Sequence, residues 1–354
     1  MSEVKHIVVT GFSGTGSSAV IDLLKELDGS GVTFSKKDYE DYFLTAPGAL
    51  FDLEWKLLNN NDPHRSDEAI REFLKVMTKL YQNDFNWFGG YKKNIGPSFM
   101  KNVYQFVDAL SEQSNTTWYY RYQYRRFSLV RFLYRLFRYK LFDHSFHLDG
   151  VHVGLDKTPI YISYPSSEEF FFLARKFIKH YLKMISEGDI NIHDHLIWPS
   201  HVKNICNYFD DSFRFIIVHR DARDVFLTNK YLYSKHDATG TYPIEATAFV
   251  DYWGRLLKMG ENQFNENVIH INFEDLIYQY KEESQKIFNF CKIDSKKWIK
   301  KRFFFNPDKS IKNTQLFLMN DVCKEEGKVI EHALPHLIYS YPYTIQTSLK
   351  DMFI

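Results

Sequence analysis

The chain contains little of what marks secreted, fibrous or disordered proteins. Only three of its 354 residues are cysteines, and none lies near another, so we expect neither a disulfide framework nor a zinc site. Glycine (16) and proline (10) are scarce, which excludes collagen-like and low-complexity classes. No apolar run reaches the roughly 18 residues of a membrane span, and no signal peptide precedes the first strand-like segment. We therefore expect a cytoplasmic protein.

Neither sign of charge is in excess. The chain has 45 lysines and arginines against 44 acidic residues, a formal net charge of +1. Electrostatic attraction of the whole protein to nucleic acid is therefore not supported, and we expect no nucleic-acid partner. The length suits one large α/β domain with insertions or about two domains. We predict a single domain over 1–354 with an inserted segment at 114–150.

The N-terminal segment has the pattern of a strand–loop–helix–strand unit. Residues 6–10 are apolar and β-branched, 19–27 have helical apolar spacing, and 31–34 resemble a second strand. Residues 213–218 and 268–272 are also strand-like, and each is followed by a helical pattern. Such units form parallel sheets covered by helices. The predicted fold class is therefore α/β, with a P-loop-like parallel sheet flanked by helices.

The loop between the first strand and helix, GFSGTGSS from Gly11 to Ser18, is a predicted anion site. Backbone N–H groups and the positive end of the helix converge there. The spacing of Gly11 and Gly16 fits a Walker A loop, but Ser17 stands where the lysine belongs. An ATP-using enzyme needs that lysine, so a phosphate ligand that requires no Mg²⁺ fits better. The alternative is a tight turn that uses glycine for positive φ.

A second basic motif, HRDARDVFLT, follows the strand-like run that ends at residue 218. The strand delivers Arg220 to the carboxyl edge of the sheet, where open α/β folds bind ligands. Thr228 lies two turns into the next helix, and an arginine with a hydroxyl can clamp a monophosphate. Asp221 and Asp224 are spaced to cap that helix, and we expect Arg223 to pair with a carboxylate. The alternative is an ordinary salt-bridged turn.

Together the two motifs resemble the sulfotransferase family, whose donor is 3′-phosphoadenosine-5′-phosphosulfate (PAPS). In that family a lysine-free loop holds the 5′-phosphosulfate, and an RDPRDVxxS motif holds the 3′-phosphate through its first arginine and its serine. Here the same offset joins Arg220 to Thr228. Residues 155–161 and 305–313 resemble segments of the glycan-modifying branch, and 272–276 resembles a turn of the family. The implied fold is the sulfotransferase fold as one catalytic domain.

The resemblance implies a role for each matching residue. The donor would be PAPS without a metal, and the acceptor would be a saccharide hydroxyl. Lys157 would lie near the transferring sulfuryl group. The family loop usually carries a lysine or arginine where this chain has Gly14, so Lys157 would have to serve alone. The implied donor-binding residues are Ser13, Gly14, Thr15, Gly16, Ser17, Ser18, Arg220, Thr228 and Lys312.

The general base that takes the acceptor proton is assigned to Glu40. Resembling enzymes use a glutamate just after the second strand, and residues 34–41 occupy that place, with Asp38 as the second choice. A solvated acidic turn is the alternative. His193, which begins the tripeptide His-Asp-His, is the rival catalytic residue, and a simple polar loop is the alternative there.

Residues 118–140 combine arginines with aromatic side chains and contain no acid. Three interpretations stay open: a cap packed on the core, a cap that binds a saccharide acceptor, and an interfacial helix that makes peripheral contact with anionic membrane and so reaches a lipid-linked saccharide. For the whole chain, two alternatives to a sulfotransferase also stay open. One is a P-loop phosphotransferase. The other is a degenerate nucleotide-binding module that binds glycan or membrane without catalysis.

Overall fold

The computed structural model divides the chain into two compact units. It describes residues 5–32, 41–83, 89–114, 159–186, 188–235, 241–260 and 265–348, with positions 133 and 137 in addition. The strands are β1 His6–Gly11, β2 Ser30–Val32, β3 Glu112–Ser114, β4 Ile160–Ile162, β5 Ile190–Asp194, β6 Phe213–His219 and β7 Val268–Asn272. The α-helices are α1 Ser17–Lys25, α2 Leu50–Asn59, α3 Pro63–Gln82, α4 Tyr91–Asn94, α5 Ser98–Leu110, α6 Ser167–Ile185, α7 Ile205–Tyr208, α8 Ala222–Tyr231, α9 Ala246–Lys258, α10 Phe273–Tyr278, α11 Tyr280–Phe290, α12 Pro307–Ser310 and α13 Asp321–Ala333.

The first unit, formed by Met1–Leu44, Asn83–Gly90 and Leu182–Ile354, contains a five-stranded sheet. Its order is β2-β5-β1-β6-β7, and every neighbouring pair is parallel. This confirms the predicted α/β class with a parallel sheet flanked by helices. From β1 the chain first crosses to β2 on one side, and β6 lies on the other. The crevice between the carboxyl ends of β1 and β6 is therefore a topological switch point, where such sheets bind ligands.

The sheet strands are apolar because helices cover both faces. One buried cluster joins the sheet to α1, α10 and α11, and its members include Val20, Leu24 and Leu276, each with 0% exposure. A second cluster joins α8, α9 and α13 around Val225 and Phe249. Burying a side chain of this size contributes about 1.5–3 kcal/mol. The two clusters hold the strand ends, and the loops that follow them, in fixed positions.

The second unit is formed by Thr45–Gln82 and Tyr91–Tyr181, and the residues of it that the structure describes are mainly helical. Its core is aromatic: the rings of Phe106 and Phe177 stack with centroids 4.9 Å apart, and Phe73 meets Phe177 edge-on at 6.1 Å. Strands β3 and β4 form a two-stranded antiparallel sheet within this unit. Part of the high aromatic content of the chain is therefore core packing.

Element boundaries differ from the sequence pattern in two places. The sequence has a helical pattern over 275–289, but the structure has two helices there, because Gln279 leaves the helical region with φ −124° and ψ 40°. A second helical pattern covers 98–113, but the helix ends at Leu110, and the next residues pair as β3. A strand-like run at 151–155 lies outside the described residues. The inserted segment also lies outside them, except for residue 114 and positions 133 and 137, and the single-domain organisation stays a prediction. Among the described helices, none has the length and apolarity of a membrane span.

Candidate functional site

The loop after β1 depends on glycine at three positions. Gly14 and Gly16 have φ of +83° and +91°, the left-handed region that side chains disfavour. A Cβ on Gly16 would stand 2.6 Å from Cδ2 of Phe273, and one on Gly11 would stand 2.2 Å from Oγ1 of Thr15. The loop therefore approaches its neighbours as closely as backbone allows.

The start of α1 has the properties of an anion site. In the part of the chain that the structure describes, no side chain caps this helix, and its first turn contains no acidic residue. Its first N–H groups lack intrahelical partners and carry the positive end of the helix dipole. Ser17 is half-buried and Ser18 is exposed at this end. An anion placed here would receive backbone hydrogen bonds.

Internal hydrogen bonds fix the loop. Thr15 donates to the Phe12 carbonyl oxygen from both its backbone N (3.0 Å) and its Oγ1 (2.8 Å), and it is buried. The Ser13 carbonyl accepts from the Tyr242 hydroxyl at 3.0 Å. Burial raises the pKa of Tyr242 above its usual value, so this hydroxyl stays protonated and continues to donate. The sequence analysis assigned Thr15 to the binding of PAPS. In this structure its hydroxyl stabilises the loop through the bond to Phe12.

Arg220 connects the loop to two other segments. Its Nη1 donates to the Gly14 carbonyl at 2.7 Å and its Nη2 to the Asn313 carbonyl at 2.5 Å. The guanidinium lies over the Phe273 ring, 5.2 Å from the centroid, and the residue is 7% exposed. Because Gly14 needs positive φ, a basic side chain there would be strained. The positive charge at this loop position comes instead from Arg220, the residue directly after β6.

Two orphaned polar atoms test whether a phosphate fits. Arg220 Nε and Thr228 Oγ1 are buried, and neither has a hydrogen-bond partner among the described residues. Lys312 lies in the short 3-10 helix Ile311–Asn313, directly before the carbonyl that Arg220 holds. Buried polar groups are normally paired, and both atoms can donate a hydrogen bond, so each could serve an oxygen of a bound phosphate. The assignment of these residues to a 3′-phosphate stays a prediction.

The carboxylates of the second motif have distinct tasks. Asp221 caps α8 by accepting from the Arg223 backbone N at 2.9 Å, as predicted. Arg223 pairs with Asp221 at 2.7 Å, which confirms the expected ion pair. Asp224 does not cap the helix; its two oxygens accept from the backbone N–H groups of Gln315 and Leu316, each at 2.8 Å. It therefore fixes the segment that follows Asn313.

Glu274 is a buried carboxyl group beside this motif. Its Oε1 accepts from the Asp221 backbone N at 2.9 Å, while Oε2 has no partner within the described ranges. Burial, and then the charge of Asp224, raises the pKa of Glu274 to about 8. Burial, and then the charge of Asp221, raises the pKa of Asp224 to about 7. In its protonated form, Glu274 adds no negative charge beside Arg220.

A cavity of about 330 Å³ lies next to Arg220. It is lined by the ends of β6 and β7, by Phe12 and Trp253, and by residues 336–340. Its volume falls within the roughly 300–1,000 Å³ range of ligand pockets. The sequence did not identify residues 336–340 as part of the site. The tyrosine-rich run from Tyr339 to Tyr343 was the available signal, and Tyr339 N donates to Asp221 Oδ2 at 3.1 Å.

His193 is not brought to the glycine loop. It has 0% exposure, and its Nε2 lies 3.0 Å from Nδ1 of His6, the first residue of β1. On the sheet, His193 is in register with Val8, and the glycine loop begins three residues further along β1, about 10 Å away at 3.3 Å per residue. Burial and the neighbouring His6 hold the pKa of His193 well below its usual value. The catalytic role predicted for His193 stays a prediction.

His195, two residues later, does reach the loop. Its Nε2 lies 3.0 Å from the Gly11 carbonyl oxygen and its Nδ1 lies 2.6 Å from Asp194 Oδ1. A carbonyl only accepts, so Nε2 is the donor. The sequence could not reveal this placement, because His195 turns the chain with a left-handed φ of +51°. His195 is a positioning residue that holds the start of the loop.

The remaining predicted residues cannot be placed. Glu40, Asp38, Lys157 and all of 118–140 except positions 133 and 137 lie outside the described residues. Their roles stay predictions. Among the residues that the structure describes, no group of three or more His, Cys, Asp or Glu side chains could hold a metal ion.

The chain is similar to two solved structures at low identity. One is the sulfotransferase domain from the Synechococcus PCC 7002 olefin synthase, 12% identical, with a TM-score of 0.39, covering 96% of this chain and 96% of that one. The other is sulfotransferase STF9 from Mycobacterium avium, 12% identical, with a TM-score of 0.37, covering 98% of this chain and 78% of that one. No family model and no curated protein matches the chain. An activity cannot be transferred at this level of likeness, and the site itself must supply the functional evidence.

Proposed function

We propose that this protein is a sulfotransferase that uses PAPS as donor and a saccharide hydroxyl as acceptor. The observation that carries the proposal is Arg220, which bridges the glycine loop and residue 313 while its Nε stays unpaired. A loop without the Walker lysine, crossed by a buried arginine from the neighbouring strand, suits a phosphate ligand that needs no Mg²⁺. A cytoplasmic location is part of the proposal.

The predicted donor-binding residues that the structure describes divide into two groups, one for each end of PAPS. The uncapped start of α1 and the amides of the loop would bind the 5′ side, and His195 would keep the loop in place through Gly11. Arg220, Thr228 and Lys312 would bind the 3′-phosphate. When bound, PAPS supplies an activated sulfuryl group and leaves as adenosine 3′,5′-bisphosphate. The protein would contribute by alignment and by fixed charge.

Two residues assigned from the sequence complete the proposal. Lys157 would stabilise the charge that develops on the leaving phosphate, and Glu40 would accept the proton of the attacking hydroxyl. Because Gly14 leaves the loop without a side-chain cation, Lys157 would have to stabilise the charge on the leaving phosphate alone. In resembling enzymes a basic residue of the loop shares this role.

Calorimetric titration with adenosine 3′,5′-bisphosphate in EDTA tests the donor. We expect metal-free binding that is lost in Arg220→Ala and kept in Arg255→Ala, a matched arginine exposed on α9. ATP with EDTA and ATP with Mg²⁺ are the competing ligands. Preference for ATP with Mg²⁺ would support the P-loop phosphotransferase and overturn the proposal.

Transfer assays with labelled PAPS and a panel of neutral and acidic saccharides test the acceptor. We expect Lys157→Ala to keep nucleotide binding and to lower turnover. Unchanged transfer in this variant would refute the role of Lys157. Tight nucleotide binding without transfer to any acceptor would point to the degenerate binding module.

A further inference from the structure

The segment after α11 exposes apolar side chains that no core cluster takes up. In residues 295–304, named here the docking loop, Ile299 is 59% exposed, Phe303 is 74% exposed and Phe304 is 43% exposed. The rings of Phe303 and Phe304 meet edge to face, 4.8 Å apart. Three large apolar side chains within six residues form a patch, which marks an interaction site more often than scattered single residues do.

The same loop is strongly basic. Five of its ten residues are lysine or arginine: Lys296, Lys297, Lys300, Lys301 and Arg302. No acidic residue occurs between Asp294 and Asp308, and an exposed pair joins Arg302 to Asp308 at 2.7 Å. This pair offsets the charge of Arg302 and leaves the four lysines of the loop. The docking loop therefore presents a local positive surface on a chain whose net charge is only +1.

Buried contacts fix the backbone of the docking loop. Glu26, which has 0% exposure, accepts from Trp298 Nε1 at 2.8 Å and from the backbone N of Phe304 and of Phe305, both at 3.1 Å. The Trp298 ring packs edge-on against Phe288, 5.3 Å between centroids. Phe305 is buried, so it helps to hold the backbone that carries the exposed rings of Phe303 and Phe304.

A tight turn forms the tip of the docking loop. Phe303 N donates to the Lys300 carbonyl at 3.0 Å, and Arg302 has φ +63°. A left-handed arginine costs about 1 kcal/mol or more, and such conformations are kept only where the surroundings enforce them. The turn contains Lys301, which lies over the Trp298 ring at 4.8 Å, and Arg302, which lies over the Tyr280 ring at 5.3 Å, and it leaves Phe303 exposed.

We infer that the docking loop binds the surface of an anionic lipid bilayer. Cations are attracted to the negative headgroups, and aromatic and aliphatic side chains enter the boundary between headgroups and acyl chains. A soluble polyanion would satisfy the lysines but would leave Ile299 and Phe303 in water. The lipid surface accommodates both features, and long lysine side chains reach headgroups while their stems stay apolar.

The docking loop and the anion site lie at opposite ends of α1. Glu26 follows the last residue of this helix and Gly16 precedes the first, and nine residues at 1.5 Å each span about 14 Å. The docking loop and the glycine loop are therefore about one length of α1 apart. The inference is independent of the proposed function, because it uses no residue of the donor site.

Vesicle co-sedimentation of the full chain tests the inference. The vesicles are phosphatidylcholine alone or phosphatidylcholine with phosphatidylglycerol, at low and high salt. We expect binding to the anionic vesicles only, weakened by salt.

Two double variants separate the basic from the apolar contribution. Lys300→Gln with Lys301→Gln should lower the affinity for anionic vesicles about tenfold or more, and Ile299→Ser with Phe303→Ser should lower it by a similar factor. The matched control is Val322→Ser with Lys328→Glu, which changes an exposed apolar and an exposed basic residue on α13 and should bind as the wild type does.

Equal binding of the wild-type protein to both vesicle types would overturn the inference without any variant. Dextran sulfate serves as the soluble polyanion. Two results together would identify a polyanion site and refute the lipid assignment. One is that the wild-type protein binds dextran sulfate as tightly as it binds vesicles, and the other is that the Ile299→Ser with Phe303→Ser variant binds dextran sulfate equally well. Titration of each variant with adenosine 3′,5′-bisphosphate and thermal unfolding show whether it is folded. Nucleotide binding can fail while vesicle binding succeeds, so the two proposals stand or fall separately.

Discussion

The Nη1 atom of Arg220 lies 2.7 Å from the carbonyl oxygen of Gly14, although 206 residues separate them in the chain. This bond crosses the crevice between β1 and β6 and places a guanidinium at the glycine loop. The loop has no cation of its own, so the charge that an anionic ligand meets there comes from the neighbouring strand.

Arg220→Lys separates charge from geometry. Lysine keeps the positive charge, but a single ammonium on a flexible stem cannot reproduce the planar fork that reaches both Gly14 O and Asn313 O. We expect affinity for adenosine 3′,5′-bisphosphate to fall by about one to two orders of magnitude, less than in Arg220→Ala. Calorimetry measures this, with Arg255→Lys as the control. Wild-type affinity in Arg220→Lys would show that charge alone suffices.

Gly16→Ala should disrupt the anion site. The new Cβ adds left-handed strain of about 1 kcal/mol and stands 2.6 Å from the Phe273 ring. Gly96→Ala is the matched control, because Gly96 also has positive φ (+82°) but no atom within 4 Å of the added Cβ. We expect both variants to lower the thermal unfolding midpoint, Gly16→Ala more strongly, and only Gly16→Ala to lose nucleotide binding. Equal effects would mean that Phe273 yields without cost.

Glu274→Gln should stabilise the protein at alkaline pH. The folded-state pKa of Glu274 is raised to about 8, so the folded protein binds more protons than the unfolded chain above its usual value of 4.5, and stability is lost as pH rises through about 8. Glutamine keeps an acceptor for the Asp221 N–H and never ionises. We expect a gain of at least about 1.4 kcal/mol near pH 9, the equivalent of one pKa unit, and little change near pH 4. Urea unfolding at both pH values measures it, and no gain near pH 9 would refute the burial of a charge there.

The His6–His193 pair should make the fold sensitive to mild acid. Burial lowers the pKa of His6 to about 4 and that of His193 well below 6.5, so the unfolded chain binds more protons as pH falls below 6.5. The free energy of unfolding should therefore fall with decreasing pH, by up to about 1.4 kcal/mol per pH unit for each histidine. His6→Phe keeps the stacking on Phe213 (4.6 Å) and should flatten the slope. His332→Gln, exposed on α13, should leave the slope unchanged.

Local patterns in the sequence were enough to predict the class of fold. The alternation of buried strands, loops and amphipathic helices predicted the parallel sheet, and the glycine spacing located the loop between β1 and α1. Local chemistry also predicted that Asp221 caps α8 and that Arg223 pairs with a carboxylate, which the structure shows to be Asp221. These features depend on residues that are close in sequence.

Features that depend on distant segments could not be predicted. Asp224 accepts hydrogen bonds from the backbone N–H groups of Gln315 and Leu316, which lie 91 and 92 residues away in the chain. His195 reaches Gly11 only because one left-handed residue turns the chain after β5. Strand periodicity gave no way to distinguish it from His193. The docking loop could not be recognised in the sequence either, because the exposure of Ile299 and Phe303 is a property of the folded chain.

The two bonds of Arg220 also set an order of events during synthesis. Gly14 leaves the ribosome first, and Asn313 follows roughly 300 residues later, which at about 5–20 residues per second is some 15–60 seconds. During that interval the loop and α1 exist without the arginine, and then without the segment that closes over it. Under the proposed function, a polypeptide that a stalled ribosome releases before residue 313 should therefore not bind adenosine 3′,5′-bisphosphate.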